Sequence, residues 1–416
     1  MFKCVSLAML LAAGCAFDSS NQLNDDGGVP QIDGPTIDAS SEIVDAAIVD
    51  ASPADAAPDA EIPDAEVPDA TPCVGDLMGF DLLNMDRCDP SAPITDLILD
   101  QDGFYLFNGI TATLQDPDDN NIPLIIDTVA QGGGAADLLI ITVTNFEIAS
   151  NSRLRLIGPN PVVIISTGDM DISGRLQATR VGVQPGAGGN IDINCSTGAG
   201  TNGALQPDEN GRIGGSGGGG AGFGTAGGFG ARVVTSADDN SPGGTAALVQ
   251  TLEPLRGGCQ GGNGGGDGGE GGFGGGAIHL AAAGTISIDG LVSASGSGGR
   301  GVSGVDSGGG GGGSGGAVLI QAGTLVNNGI ITINGGGGGE GSSGVTSTTA
   351  GANGSLNTNN AATGGSGASN GGNGGDGATI NDAAGDGTEG NQSDFFVRGG
   401  GGGGGGIGVV RIETVN

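Results

Sequence analysis

One pattern is written twice between Gly275 and Gly336: GGAIHLAAAGTISIDGLVSASG, then, after a glycine run, GGAVLIQAGTLVNNGIITINGG. Each copy is a glycine pair, a short apolar strand, a glycine, a second strand, a glycine six residues on, and a third strand. A weaker copy lies upstream in PVVIISTGDMDISGRLQATR, where Gly168 and Gly174 keep the spacing of Gly284 to Gly290 and of Gly323 to Gly329. Met170, Ile286 and Leu325 share one offset within that gap, and Leu176, Val292 and Ile331 share the next. Three strands broken by two fixed corners describe one rung of a stacked repeat, which buries its apolar face only when a neighbour lies on it. The pattern predicts an all-β chain, a right-handed parallel β-helix with glycine-rich insertions along one side.

Glycine supplies 95 of the 416 residues, far above the usual ~7%. A collagen-like helix is excluded, because runs such as Gly308 to Gly313 and Gly399 to Gly406 keep no every-third-residue register. Long glycine-, serine- and asparagine-rich segments recur at one corner of the repeat, at about 196–274, 296–314 and 335–405, so they emerge on one face. Two states are open to them. They stay loose, since glycine loses much freedom on ordering, or they pack side by side as extended polyproline II-type runs that exchange backbone hydrogen bonds. SSGVTSTTAGANGSLNTNNAATGG reads as a flexible loop.

The net charge of −34, with Lys3 as the only lysine, argues against nucleic acid and anionic lipid surfaces as direct partners, because phosphate binding needs clustered Lys and Arg. The first residues, MFKCVSLAMLLAAGCAFDSS, carry an apolar core too short for the ~20 residues a bilayer needs, and read as an export signal. Residues 15–72 follow with no apolar periodicity, many acids and a Pro-Asp-Ala theme, which predicts a disordered, stretched tether. Residues 73–160 read as an N-terminal cap with early rungs, and 161–416 as the repeat proper. FYLFNGITATL and NIPLIIDTV are two strands around the turn QDPDDN.

With Cys4 in the signal and Cys15 at its end, Cys73, Cys88, Cys195 and Cys259 remain, an even number in an exported chain. A Cys73–Cys88 bridge closes a small loop where the tether meets the body. A Cys195–Cys259 bridge closes most of the longest insertion at its base; the competing arrangement joins Cys73 or Cys88 to one of that pair. No CxxC is present and His279 is the only histidine, which argues against zinc.

Asp116, Asp118, Asn120 and Asp127 occupy the first, third, fifth and twelfth positions of an EF-hand-like stretch, DPDDNNIPLIID, but Asn121 replaces the central glycine and the flanks are strands. An acidic hairpin turn accounts for it better than calcium. GGNGGDGAT, from Gly371 to Thr379, nearly matches a calcium-binding nonapeptide, with Ala378 where a large aliphatic belongs and no tandem copy. No cofactor is expected. Asp169, Asp171, Asp192 and Asp289 alternate with apolar neighbours and should point outward, as catalytic acids do in β-helical lyases and glycosidases. Against an enzyme stand the absence of Trp, the single Tyr105, and the lack of a mature-chain lysine or clustered arginines.

The LAAGC ending resembles the lipobox of bacterial lipoproteins, with Leu11 four residues before the cysteine. That resemblance implies lipid attachment at Cys15 and, with Ala16 following it, an outer-membrane location. The tether resembles those of surface lipoproteins of Gram-negative bacteria. The phrases GGAVLIQAG and GIITINGGGG look like those of glycine-rich β-helical surface proteins and adhesins. Together they imply a non-catalytic surface lipoprotein that displays a rod for envelope structure or adhesion, meeting a surface polysaccharide or protein. The alternative is an extracellular polysaccharide lyase or glycosidase.

Overall fold

The structure is a computed structural model that describes residues 72–190, 195–207, 211–233, 240–246, 251–302, 304–344, 347–367, 370–390 and 397–415. The export signal, Cys15, almost all of the tether and Asp192 lie outside the described residues.

A short helix α1 (Val74–Met78) opens the body, and strands β1 (Leu97–Leu99) and β2 (Gly103–Asn108) follow. Three small strands turn back on themselves: β3 (Thr113–Gln115), β4 (Asn121–Ile122) and β5 (Ile126–Val129). Two strand triplets come next, β6 (Leu138–Val143), β7 (Phe146–Ile148), β8 (Ser152–Ile157), then β9 (Val162–Ser166), β10 (Met170–Ile172), β11 (Arg175–Gln177). Helix α2 (Cys195–Gly198) and the hairpin of β12 (Leu205–Pro207) and β13 (Ile213–Gly215) stand apart. The chain ends with β14 (Ala277–Ile288), β15 (Leu291–Ser293), β16 (Ala317–Asn327), β17 (Ile330–Thr332) and β18 (Val409–Thr414).

These strands form two curled sheets. The first holds β1, β5, β6, β7, β9, β10, β14, β16 and β18; the second runs β17-β15-β11-β8-β2-β3-β4. The shared offsets read from the sequence become register: Met170 stands beside Ile286, and Ile286 beside Leu325. In the second sheet Leu176 stands beside Val292, and Val292 beside Ile331. Between the sheets lies one core, with Phe107, Phe146, Ile148, Leu154, Ile164, Ile172, Val292 and Ile320 buried. Burying side chains of this size stabilises by roughly 1.5–3 kcal/mol each, and an isolated strand could not realise it. A second cluster lies on the other face of the first sheet, where Val163, Ala281 and Leu319 pack against Val74, Met78 and Leu82 of the N-terminal module.

The expected right-handed parallel β-helix is corrected by this topology. The sheets are mixed and curl as a half-barrel: β2 with β3, β3 with β4, and β5 with β6 pair antiparallel, while the repeat strands pair parallel. Matching phrases specify which residues lie beside one another. They do not specify how a sheet ends, and at one end of each sheet antiparallel pairs take that place.

The glycine-rich segments are not loose insertions. Along Gly401 to Gly406 the N–H groups point in three directions with a period of three. Gly401 and Gly404 donate to Thr388 and Gly385, Gly402 and Gly405 to Gly339 and Gly336, and Gly403 and Gly406 to Gly218 and Ala221, at 2.7–3.0 Å. Its carbonyls accept with the same period, from Ala231 and Gly228, from Gly375 and Ala378, and from Gly312 and Gly315. Three residues per turn is the signature of a polyproline II-type helix, so one run is ringed by six others. The run is buried throughout. Such packing demands glycine: a Cβ on Gly402 would stand 2.1 Å from the carbonyl oxygen of Gly310. The stretch expected to be a flexible loop joins the array as well, with Gly351 donating to Gly299 and Ala352 to Thr363.

Candidate functional site

Disulfides join both expected pairs. Cys73 and Cys88 lie with their α-carbons 4.8 Å apart, and Cys195 and Cys259 at 5.4 Å. The first closes the module under which the first sheet is buried. The second ties α2 to the array across 64 residues of chain.

The calcium candidates do not form one ligand set: the Asn120 amide contacts the Asp116 carboxylate, while Asp127 is engaged by Ser91. Asp116 accepts hydrogen bonds at its Oδ1 from the backbone N–H groups of Asp118 and Asn120, at 2.9 and 2.8 Å. Desolvation pushes its carboxyl up, but the side-chain amide of Asn120, donating at 3.1 and 3.3 Å, together with these two backbone bonds holds it below the ordinary range. It is thus the head of the β3–β4 turn. Asp127 faces elsewhere, accepting at 2.7 Å from the backbone N–H and the hydroxyl of Ser91. In the glycine-rich nonapeptide, Asp376 accepts from the N–H of Gly364 and serves the array. No group of three or more His, Cys, Asp or Glu suited to a metal ion occurs among the described residues.

Asp169, Asp171 and Asp289 are exposed, as their alternation predicts. Parallel pairing sets Asp171 beside Glu147 and opens a groove lined by Asp96, Glu147, Asp169 and Asp171 with Asn145 and Ser287. Its polar groups bond to one another and to neighbouring segments. Asp169 accepts the N–H of Thr285 at 2.7 Å, Asn145 donates to Asp96 at 2.9 Å, and Ser173 donates to Asp171 at 2.7 Å. The lining holds carboxylates and no basic side chain. Asp289 accepts from Asn328 and lies away from this groove.

His279 is fully buried in β14, flanked in register by Val163 and Leu319, and neither ring nitrogen has a hydrogen-bond partner. Burial pushes its pKa down to about 4, so the ring is neutral. Gln321 offsets part of that fall. Its amide is nonetheless engaged elsewhere, accepting from Leu83 and donating to Asp81 and Glu413.

A cluster that the linear sequence conceals lies on the outer face of the second sheet. Arg153 stands beside Arg175 and Phe104, and Arg155 beside Leu106 and Gln177. Each arginine is far from the next group in sequence or hidden in a two-residue alternation, and only strand stacking gathers them. The signal available was that alternation, RLRL at 153–156, which puts Leu154 and Leu156 in the core and both arginines outside.

Comparison with protein-family models, with curated proteins and with solved structures returns no significant match.

Proposed function

We propose that this chain is an exported, non-catalytic surface protein, held to a membrane by lipid at Cys15, whose rigid glycine-cored body serves envelope structure or adhesion. The observation that carries this reading is the run Gly401 to Gly406, buried within six neighbouring runs and with its backbone groups satisfied in every direction. Ordering so much glycine costs more conformational entropy than ordering any other residue, and a dense lattice of backbone hydrogen bonds offsets it. A body built that way favours stiffness over the mobile loops that lids and active sites use. The two disulfides support an oxidising, extracytoplasmic compartment.

Labelling cells with a fatty-acid analogue tests the anchor: wild type should be tagged and Cys15→Ser should not. Equal labelling of both would remove the anchor from the proposal. The non-catalytic part is tested by incubating purified protein with acidic and neutral polysaccharides, where saturable release of reducing or unsaturated ends would replace it with the enzyme reading.

A further inference from the structure

The second sheet differs from the rest of the molecule in charge. Its strands read GFYLFN, TLQ, NI, SRLRLI, RLQ, LVS and IIT, without one Asp or Glu, in a chain that holds 46 acids and 12 basic residues. The first sheet, by contrast, carries Asp127, Glu147, Asp171 and Glu413. Four arginines elsewhere sit with acids: Arg87 with Asp76, Arg232 with Glu389, Arg300 with Glu270, and Arg411 with Glu253 and Glu413. Arg153, Arg155 and Arg175 have no carboxylate partner among the described residues.

Their arrangement is also held. The guanidinium carbons of Arg153 and Arg155 lie 5.1 and 4.4 Å from the centre of the Phe104 ring, which is 46% exposed. The ring's negative face offsets part of the repulsion between two cations and fixes their orientation. Arg175, on the adjoining strand, is about 4.8 Å of strand spacing from Arg153. Beyond Arg175 the face continues into a groove lined by Ser150, Ser173, Leu291, Ile330 and Leu356. Burial and the neighbouring Arg153 together lower the pKa of Arg155 from its ordinary value, so the pair is kept side by side at a cost.

We propose that this face binds an anionic polysaccharide, with Arg153, Arg155 and Arg175 taking its carboxylate or sulfate groups and the groove beyond Arg175 receiving the adjoining sugar rings. Guanidinium groups match the planar carboxylate fork and donate two parallel hydrogen bonds to it. The exposed part of Phe104 and the apolar walls of Leu291 and Ile330 suit the carbon faces of sugars better than they suit a duplex. Nucleic acid is disfavoured by charge density: one phosphate per ~1.7 Å meets three arginines and then a strongly acidic surround. The proposal adds a partner to the surface role argued above and stands or falls separately from it, since fatty-acid labelling of Cys15 is indifferent to this face.

The test is calorimetric titration of the full exported chain, disulfides intact, with polygalacturonate, dextran sulfate, neutral dextran, double-stranded DNA and phosphatidylglycerol vesicles. Saturable binding of polygalacturonate or dextran sulfate, weakened by salt and absent for neutral dextran, is expected; preference between the two identifies the anion. Arg153→Gln/Arg155→Gln should weaken it by about tenfold or more, and Arg232→Gln, which removes a paired arginine elsewhere, should leave it unchanged. Circular dichroism on each variant establishes that the fold is kept; if the double variant unfolds, Phe104→Leu with Arg175→Gln is titrated instead, with the same loss expected. No polysaccharide binding, equal binding by the variants, equal loss in Arg232→Gln, or tighter binding of DNA or vesicles would each overturn the proposal.

Discussion

Gly404 lies so close beneath the carbonyl of Asp376 that a methyl group added to it would stand 1.9 Å from the oxygen. The contact repeats around the run, with Gly403 against Gly228 and Gly405 against Gly313. Backbone cannot move aside as the end of a flexible side chain can, so the array has to shift as a whole.

Gly404→Ala should therefore cost about 3 kcal/mol or more, at the severe end of single substitutions. Ala352→Ser, at an exposed position of the same array, should stay within about 0.5 kcal/mol. Thermal unfolding of the two variants measures the contrast, and similar melting temperatures would mean that the glycine packing is looser than described.

His279 predicts a loss of stability in acid. Its folded pKa of about 4 lies below the ordinary 6.5, so the stability from a neutral buried ring is fully present above pH 6.5. It is lost as pH falls from 6.5 toward 4, where the unfolded chain takes up a proton that the folded one refuses. The size is about 3 kcal/mol from the linkage relation. Gln321, beside this site, is held by the Glu413 carboxylate and the backbone carbonyl of Asp81. Urea unfolding of wild type and His279→Leu at matched pH values isolates the histidine: the variant should lack that part of the slope.

The Cys195–Cys259 bridge closes a loop of 64 residues, for which chain entropy gives roughly 4 kcal/mol. The Cys195→Ser/Cys259→Ser double variant should unfold at lower urea than wild type by that order. An unchanged midpoint would show that the array orders this segment without help.

Ile286 should be sensitive and Val326 should not. Ile286 is fully buried between Met170 and Leu325, whereas Val326, one residue further along β16, is 42% exposed. Ile286→Ala should cost about 2–5 kcal/mol and Val326→Ala under about 1 kcal/mol, read from denaturant midpoints.

Much of the pairing was legible in the chain. Residues that share an offset in repeated phrases, Met170, Ile286 and Leu325, have to bury the same face, and stacking them in register is the arrangement that does so. Gly174, Gly290 and Gly329 were equally legible as corners, because each meets the carbonyl of the corner below; a Cβ on Gly290 would lie 1.9 Å from the oxygen of Gly174. The four cysteines of the exported body were legible as a set and as two local pairs, and the structure decides for these against the competing arrangement.

What the tertiary structure alone decided follows from side chains that are missing or distant. Glycine offers no side chain by which Gly402 could specify Gly339 or Gly375 as a neighbour, so the order of runs in the array depends on where the sheets deliver their ends. The sequence by itself determined that these segments were free of obstruction; the body as a whole determined which met which. The same holds for one end of each sheet, where antiparallel pairs stand instead of further rungs, and for the arginine face. Arg153 and Arg175 belong to different strand triplets, and only the parallel stacking of β8 on β11, driven by Leu154 and Leu176 in the core, sets them side by side.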